Sequence, residues 1–228
     1  MAKIITVILA AGLGIRLGAE RPKAFVDLKG KSLLEHTVEE ILSTRVINEI
    51  IVVVPDILVE ESSYMYGSYI HIAMGGRNRT ISVTSALKEI VNSVCDRTDL
   101  ILIHDAARAL APCCLIKEII TSLINGYPAV IPGVTISDTA KFIDIDKNII
   151  STPNRNKLKA IQTPQGFHAD VIYLAYQNIS TNSASDDASL VENIGIPVHF
   201  IEGNPLAFKI TTLIDFLLAE TIIESFKL

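Results

Sequence analysis

The chain has 228 residues, of which 49% are hydrophobic and 20% are charged, as is typical of a folded protein with one sizeable core. Its formal net charge of −5 argues against nucleic acid as the main partner, because proteins that bind the phosphate backbone usually carry a basic surface. No uncharged run approaches the roughly 18 residues that a membrane span needs, so we expect no membrane partner and a location in the cytoplasm.

Strand-length apolar runs alternate with segments of helical periodicity along the chain. The predicted strands cover residues 4–9, 49–54, 69–73, 99–103, 129–132 and 198–201. The predicted helices cover about residues 33–44, 80–94, 114–124, 169–178, 186–193 and 212–226, and a capping box of Ser32 and Glu35 opens the first. Continuous apolar strands that alternate with helices predict an α/β fold, with a mostly parallel sheet and helices on both faces.

One segment interrupts this alternation. Residues 138–145 and 148–152 have the pattern of a short hairpin, and a turn-rich segment follows at 162–166. Because the chain shows neither linker composition nor an internal repeat, we expect a single domain over residues 1–228 with an inserted β-arm. The three cysteines, at positions 95, 113 and 114, lack CxxC spacing, so we expect free thiols in a reducing compartment.

Three polar segments directly follow predicted strands, at residues 10–23, 75–79 and 104–108. Ligands of open parallel sheets bind beyond the carboxyl ends of the strands. We therefore expect these three segments to form a binding site at one rim of the sheet.

The first polar segment and the two residues after it read AAGLGIRLGAERPKAF, a sequence that argues against two kinds of glycine loop. Leu17 stands where a dinucleotide-binding loop has its third glycine, which disfavours a nicotinamide-dependent oxidoreductase, and the Gly-Lys-Ser/Thr of an ATPase loop does not follow. Two interpretations remain. The loop amides face phosphate with the help of the cations Arg16, Arg21 and Lys23, or the segment is a solvated basic loop.

The other polar features fit an anionic ligand in the same way. The segment GGRNRTISV opens a helix, whose N-terminal amides suit phosphate or a carbonyl-rich base. Asp105 ends a strand, where a carboxylate beside phosphates is a usual ligand of Mg²⁺, although a lone aspartate also commonly caps a loop. Lys209 lies within an apolar run and needs an anionic partner, for which a phosphate is a candidate.

Taken in order, seven motifs resemble those of the 2-C-methyl-D-erythritol 4-phosphate cytidylyltransferase family over about residues 4–220: AAGxGxRxxxxxPK, GGRxRxxSV, IHDAAR, DTxK, QTPQGF, SDDASLVE and KIT. Ribitol-5-phosphate cytidylyltransferases share most of this set. The resemblance implies a Rossmann-like fold and a homodimer, in which a β-arm at about residues 137–155 reaches into the partner. It also implies CTP and a small polyol phosphate as substrates, with Mg²⁺ as the cofactor.

The resemblance implies roles for individual residues as well. The implied nucleotide-binding residues are Ala10, Ala11, Gly12, Gly14, Gly76, Ser82, Asp105, Ala106 and Arg108, and Asp105 would also approach Mg²⁺. The implied catalytic cations are Arg16, Lys23 and Lys209. The implied acceptor-binding residues are Thr139, Arg155, Thr163 and Ser185, some of them from the partner subunit. Ala24 and Ala207 depart from the family, in which many members have Gln and Asn there.

The implied reaction is attack of a phosphate oxygen on the α-phosphorus of CTP, which requires no general base and belongs to non-mevalonate isoprenoid precursor biosynthesis. The residues leave the acceptor open between methylerythritol phosphate and ribitol phosphate, although the run Leu33-Leu34-Glu35-His36 favours the first. A non-catalytic nucleotide-binding module on the same fold is the alternative from another class.

Overall fold

The computed structural model describes residues 2–12, 14, 21–66, 70–92, 96, 98–179 and 184–225, without the side chains of residues 64–66 and 91–92. The strands within these ranges are β1 (Ile4–Leu9), β2 (Asp27–Leu28), β3 (Lys31–Ser32), β4 (Glu49–Val54), β5 (Ile70–Met74), β6 (Leu100–Asp105), β7 (Ala129–Thr135), β8 (Phe142–Ile143), β9 (Ile149–Ser151), β10 (Lys159–Ile161), β11 (Gln165–His168) and β12 (His199–Glu202). The α-helices are α1 (Leu33–Ser43), α2 (Val59–Tyr66), α3 (Arg79–Asn92), α4 (Cys113–Ile124), α5 (Ala169–Gln177), α6 (Asp187–Asn193) and α7 (Leu213–Ser225).

Eight of the described strands form one sheet, in the order β10-β7-β11-β6-β1-β4-β5, with β12 paired to β7. The pairs β6–β1, β1–β4, β4–β5 and β7–β12 are parallel, whereas β10 and β11 run antiparallel to their neighbours. The sheet is therefore mostly parallel, as predicted. The carboxyl ends of β1, β4, β5 and β6 meet at one rim.

The sequence did not reveal β11, which lies between β6 and β7. Its four residues, QGFH, contain a glycine and follow a Thr-Pro pair, so the segment has the composition of a turn. A Cβ atom at Gly166 would lie 2.5 Å from Cγ2 of Ile119, so the glycine allows α4 to pack closely on the strand. Because β11 is antiparallel, its first residue, Gln165, lies at the rim, opposite Ile103 of β6.

Two apolar layers cover the faces of the sheet. Along β1, Ile4 and Ile8 pack in the layer that contains α1 and α4, whereas Ile5 and Val7 pack in the layer that contains α3, α5 and α6. All four side chains are buried. Burial on both faces explains why this strand reads as a continuous apolar run rather than an alternating one.

Helix α1 begins with the predicted capping box. Ser32 Oγ accepts a hydrogen bond from the backbone N–H of Glu35, and the carboxylate of Glu35 accepts one from the backbone N–H of Ser32. The two bonds satisfy amides that a helix start otherwise leaves unpaired. Leu42, which the periodicity assigns to the apolar side of this helix, is 52% exposed.

The arm lies outside the large sheet. Strands β8 and β9 pair with each other in a separate two-stranded sheet, which agrees with the predicted hairpin. None of the described helices is long and apolar enough to cross a membrane. Cys113 is a half-buried free thiol and Cys114 an exposed one, whereas Cys95 lies outside the described residues.

Candidate functional site

A cleft of about 870 Å³ opens at the rim where the parallel strands end. Ten of the residues singled out in the sequence line it: Ala10, Ala11, Gly12, Gly14, Lys23, Gly76, Ser82, Asp105, Ala106 and Lys209. These residues come from four separate segments of the chain, and β1, β5 and β6 bring three of the segments together. Its volume is in the range usual for a small-molecule site.

A second cavity of about 320 Å³ adjoins this cleft. It is lined by Arg108, Thr163 and Ser185 from the predicted set, together with Ile161, Gln162, Gln165 and Asp186. Arg79, Asp105 and Lys209 line both spaces. We call the position of these three residues the junction.

The glycine loop packs directly on Lys23. Gly14 has φ +70°, and a Cβ atom there would lie 2.5 Å from Cβ of Lys23, so glycine is required both for the backbone conformation and for the close approach. Pro22 precedes a 3₁₀ turn at Lys23–Phe25. Lys23 Nζ donates a hydrogen bond of 2.7 Å to the carbonyl oxygen of Ile210, which holds the ammonium in place, and Lys23 lines the cleft.

The next residue in the chain, Ile210, fixes the backbone beside Lys209. Ile210 is fully buried in a cluster with Leu28 and Leu33, and its backbone N–H donates to the carbonyl oxygen of Ala107 at 2.8 Å. Since Ile210 is fixed on both counts, the KIT segment presents Lys209 to the junction.

The turn before α3 is shaped by its own side chains. The backbone N–H of Gly76 donates to Ser82 Oγ at 3.1 Å, and this hydroxyl donates to the carbonyl oxygen of Asn78 at 3.0 Å. Asn78 Oδ1 accepts from the backbone N–H of Ile81. A side chain at Gly76 would collide with Ile81, so glycine is required there, and Gly76 and Asn78 both line the cleft.

Asp105 is the anion at the centre of the junction. Its Oδ2 lies 2.7 Å from Lys209 Nζ, and its Oδ1 lies 3.6 Å from Arg79 Nε. Burial alone would raise the pKa of the Asp105 carboxyl, but the charges of Lys209 and Arg79 outweigh burial and hold this pKa well below its usual range. The carboxylate is therefore ionised at neutral pH.

Arg79 lies in the predicted segment 75–79, but sequence reasoning assigned it no role of its own. Its Nη2 donates a 2.6 Å hydrogen bond to Oδ2 of Asp187, whose side chain is fully buried. Burial opposes the charge of Arg79, but Asp187 and Asp105 together raise the guanidinium pKa above its ordinary value. The signal in the sequence was the second arginine of GGRNRTISV, which the helix-start pattern did not separate from its polar neighbours.

Arg108 and Thr163 tie the smaller cavity together. Arg108 donates to the carbonyl oxygens of Ala207 and Ile161, at 2.7 and 3.2 Å. Thr163 Oγ1 accepts from the backbone N–H of Asp105 at 3.0 Å and lies 2.9 Å from Nδ1 of His104. Burial lowers the pKa of the His104 imidazole to about 4, so this ring is neutral at neutral pH and has a structural role.

Not all predicted site residues meet at the junction. Within the described part of the chain, Thr139 and Arg155 line neither space. Both are exposed on the arm, where Arg155 donates to the carbonyl oxygen of Ser137. Arg16 lies outside the described residues.

Asp105 could hold a divalent cation, but only together with a ligand. Among the described residues, no group of three or more His, Cys, Asp or Glu side chains is placed to bind a metal ion. Mg²⁺ commonly takes one or two protein carboxylates and fills its other positions with substrate phosphates and water. The ionised Asp105 has the charge and the oxygen atoms for this role, although Lys209 Nζ lies 2.7 Å from its Oδ2 in this structure.

Known proteins resemble this chain in sequence and in fold. A model of the family described as "IspD: 2-C-methyl-D-erythritol 4-phosphate cytidylyltransferase" matches residues 4–225. The protein of that name from Rhodococcus jostii (strain RHA1) is 42% identical over 221 residues, which cover 97% of this chain and 95% of the relative. A 4-diphosphocytidyl-2C-methyl-D-erythritol synthase structure from Anaerococcus prevotii DSM 20548 superposes with a TM-score of 0.81 at 29% identity, covering 98% of this chain and 99% of the other. The chain therefore belongs to the 2-C-methyl-D-erythritol 4-phosphate cytidylyltransferase family.

Proposed function

We propose that this chain transfers the cytidylyl group of CTP to 2-C-methyl-D-erythritol 4-phosphate, giving 4-diphosphocytidyl-2-C-methyl-D-erythritol and pyrophosphate. The observation that carries the proposal is the junction, at which a larger cleft and a smaller cavity share Arg79, Asp105 and Lys209. The larger cleft would take the nucleotide and the smaller cavity the polyol phosphate. Family membership favours methylerythritol phosphate over the ribitol phosphate alternative.

The reaction follows from where the two phosphates would meet. An oxygen of the acceptor's phosphate forms a bond to the α-phosphorus of CTP, and the bond from that phosphorus to the oxygen bridging to the β-phosphorus breaks. The electron pair of the broken bond leaves with pyrophosphate. The acceptor's phosphate is already anionic near neutral pH, so no base is needed.

The chemical problem is to bring two polyanions together and to stabilise the charge of the transition state. Lys23 and Lys209 supply ammonium groups at the cleft, and Arg79 and Arg108 supply guanidinium groups at the smaller cavity. Arg16 is proposed to join them from the glycine loop. Asp105 keeps Lys209 in place until a phosphate competes for it. Mg²⁺ bound with CTP would neutralise triphosphate charge, and Asp105 is the residue proposed to contact it.

We also propose a homodimer in which the arm completes the site of the other subunit. Five apolar side chains of the arm are more than half exposed: Phe142, Ile143, Ile145, Ile149 and Ile150. Such a concentration of exposed apolar surface favours burial against a partner. Thr139 and Arg155 lie on the same arm, so a second copy would carry them to a neighbouring smaller cavity.

The direct test of the proposed function is pyrophosphate release from CTP with each of two acceptors. We expect turnover with 2-C-methyl-D-erythritol 4-phosphate and a much lower kcat/KM with ribitol 5-phosphate. The reverse preference would favour the ribitol enzyme. CTP binding without release with either acceptor would favour a non-catalytic module.

A further inference from the structure

A buried carboxylate that lines neither space holds the guanidinium of Arg79. Asp187 is the first residue of α6 and is fully buried. Its Oδ2 accepts from Nη2 of Arg79 at 2.6 Å, and its Oδ1 accepts from the hydroxyl of Tyr176 at 2.6 Å. Each carboxylate oxygen therefore accepts one short hydrogen bond, one from a guanidinium and the other from a hydroxyl.

This arrangement restricts where the guanidinium can go. A buried carboxylate that loses its cation is strongly destabilised, so Asp187 keeps Arg79 as a partner. Arg79 Nε nevertheless lies 3.6 Å from Asp105 Oδ1, and its side chain is 25% exposed and lines both spaces. The same guanidinium thus links a buried anion to the open junction.

We propose that Asp187 and Tyr176 are positioning residues that fix the Arg79 guanidinium at the junction, where it acts on the transferring phosphate. The proposal rests on the proposed cytidylyl transfer for its last step, whereas the fixing of Arg79 does not depend on it. Tyr176 orients the carboxylate, the carboxylate orients the guanidinium, and the guanidinium faces the reacting anions. Without this anchor, the flexible arginine would be free to form a closer pair with Asp105, and the two charges would cancel where the ligand needs a cation.

A second interpretation is that the Asp187–Arg79 pair only joins α6 to α3. The chain offers a matched control, because Tyr173 lies on the same helix as Tyr176 and its hydroxyl donates to the carbonyl oxygen of Leu87 in α3 at 3.1 Å. Tyr173→Phe and Tyr176→Phe each remove one hydroxyl hydrogen bond from α5, the first to α3 and the second to α6. Only the second change touches the anchor of Arg79.

The first readout is the Nε–H signal of Arg79 in a ¹H–¹⁵N NMR spectrum of the whole chain, assigned with Arg79→Lys. We expect a slowly exchanging signal in the wild type and in Tyr173→Phe, and faster exchange in Tyr176→Phe and Asp187→Asn. An unchanged signal in Asp187→Asn would overturn the anchor. This readout is independent of turnover, so it stands even if the wild type proves inactive and the proposed function fails.

The second readout is the division of the effect between kcat and CTP affinity. We expect kcat to fall about 10-fold in Tyr176→Phe and about 10²-fold in Asp187→Asn, with CTP affinity within about 3-fold of wild type and Tyr173→Phe close to wild type. Equal losses in Tyr173→Phe and Tyr176→Phe would assign a purely structural role. An equal loss of CTP affinity would show that Arg79 only binds nucleotide. If Asp187→Asn does not fold, Tyr176→Phe still decides the outcome.

Discussion

The rim of the sheet and the arm differ in how far contacts within the chain hold the predicted site residues. At the rim, the charged groups are paired within the chain, as Lys209 is with Asp105 and Arg79 is with Asp187. On the arm, the side chains of Phe142 and Ile145 are 57% and 97% exposed. The rim is thus preorganised by one chain, whereas the arm presents apolar surface and polar residues outward. We infer that the rim does its work in one subunit and that the arm needs a second.

The largest expected effect is at the rim. Lys23→Ala removes an ammonium that the glycine loop and Ile210 hold in place, and we expect kcat to fall by roughly 10²–10³-fold, as when one preorganised oxyanion donor is lost. Steady-state pyrophosphate release measures it. Lys31→Ala is the control, because Lys31 forms an exposed ion pair with Glu39 and should leave turnover unchanged. Turnover near the wild-type rate in Lys23→Ala would break the assignment of the rim.

The next effect tests whether the arm completes a neighbouring site. Arg155→Ala is expected to lower kcat/KM for the acceptor by about 10²-fold, whereas Lys157→Ala on the same exposed turn is expected to have little effect. Mixing the impaired Lys23→Ala and Arg155→Ala chains should then raise the activity above that of either variant alone, since one site of the mixed dimer is intact. A verified mixed dimer without activity would mean that each subunit is self-contained.

A third effect concerns the stability of the rim. The His104 pKa of about 4 lies below its unfolded value of about 6.5, so the unfolded chain binds the proton first. The free energy of unfolding should therefore fall by about 2 kcal/mol between pH 6.5 and 4.5 on account of His104. The depressed pKa of Asp105 adds a further loss only below about pH 3.8.

Denaturant unfolding at the two pH values measures this slope. His104→Asn should flatten it, because the side chain no longer titrates. His71→Asn, a change at an exposed histidine, should leave the slope as in the wild type. Equal slopes in all three proteins would refute the neutral, buried imidazole.

The smallest effect is expected from one apolar side chain of the arm. Ile145→Asn should raise the dimer dissociation constant by about 10-fold, since the buried side chain contributes about 1.5–3 kcal/mol at most. Ile124→Asn changes a side chain that is 68% exposed on α4 and serves as the control. Sedimentation at several concentrations compares them. The same dissociation constant in both would place the dimer contact elsewhere.

Much of the sheet was predictable because buried parallel strands are continuous apolar runs. The prediction matched β1 and β4 residue for residue and placed β5 and β6 within two residues. It missed β11, whose turn-like composition is explained by the close packing of α4 on Gly166, and it missed α2, whose sequence is largely polar. Local composition does not encode these tertiary contacts.

The cleft was largely predictable for a related reason, since three of its four lining segments directly follow strands. The smaller cavity was harder to predict from the sequence, because Thr163 reaches the rim only through the antiparallel β11. The role of Arg79 was not predictable from the sequence either, because its partner Asp187 lies 108 residues away. Contacts of that range follow from the fold and not from spacing.

The most direct test of cytidylyl transfer follows the α-phosphorus itself. With CTP labelled at that atom and 2-C-methyl-D-erythritol 4-phosphate as acceptor, we expect all transferred label in the diphosphocytidyl product and one unlabelled pyrophosphate for each product formed. Release of labelled CMP or of orthophosphate without a labelled sugar product would mean hydrolysis and would contradict transfer at the junction.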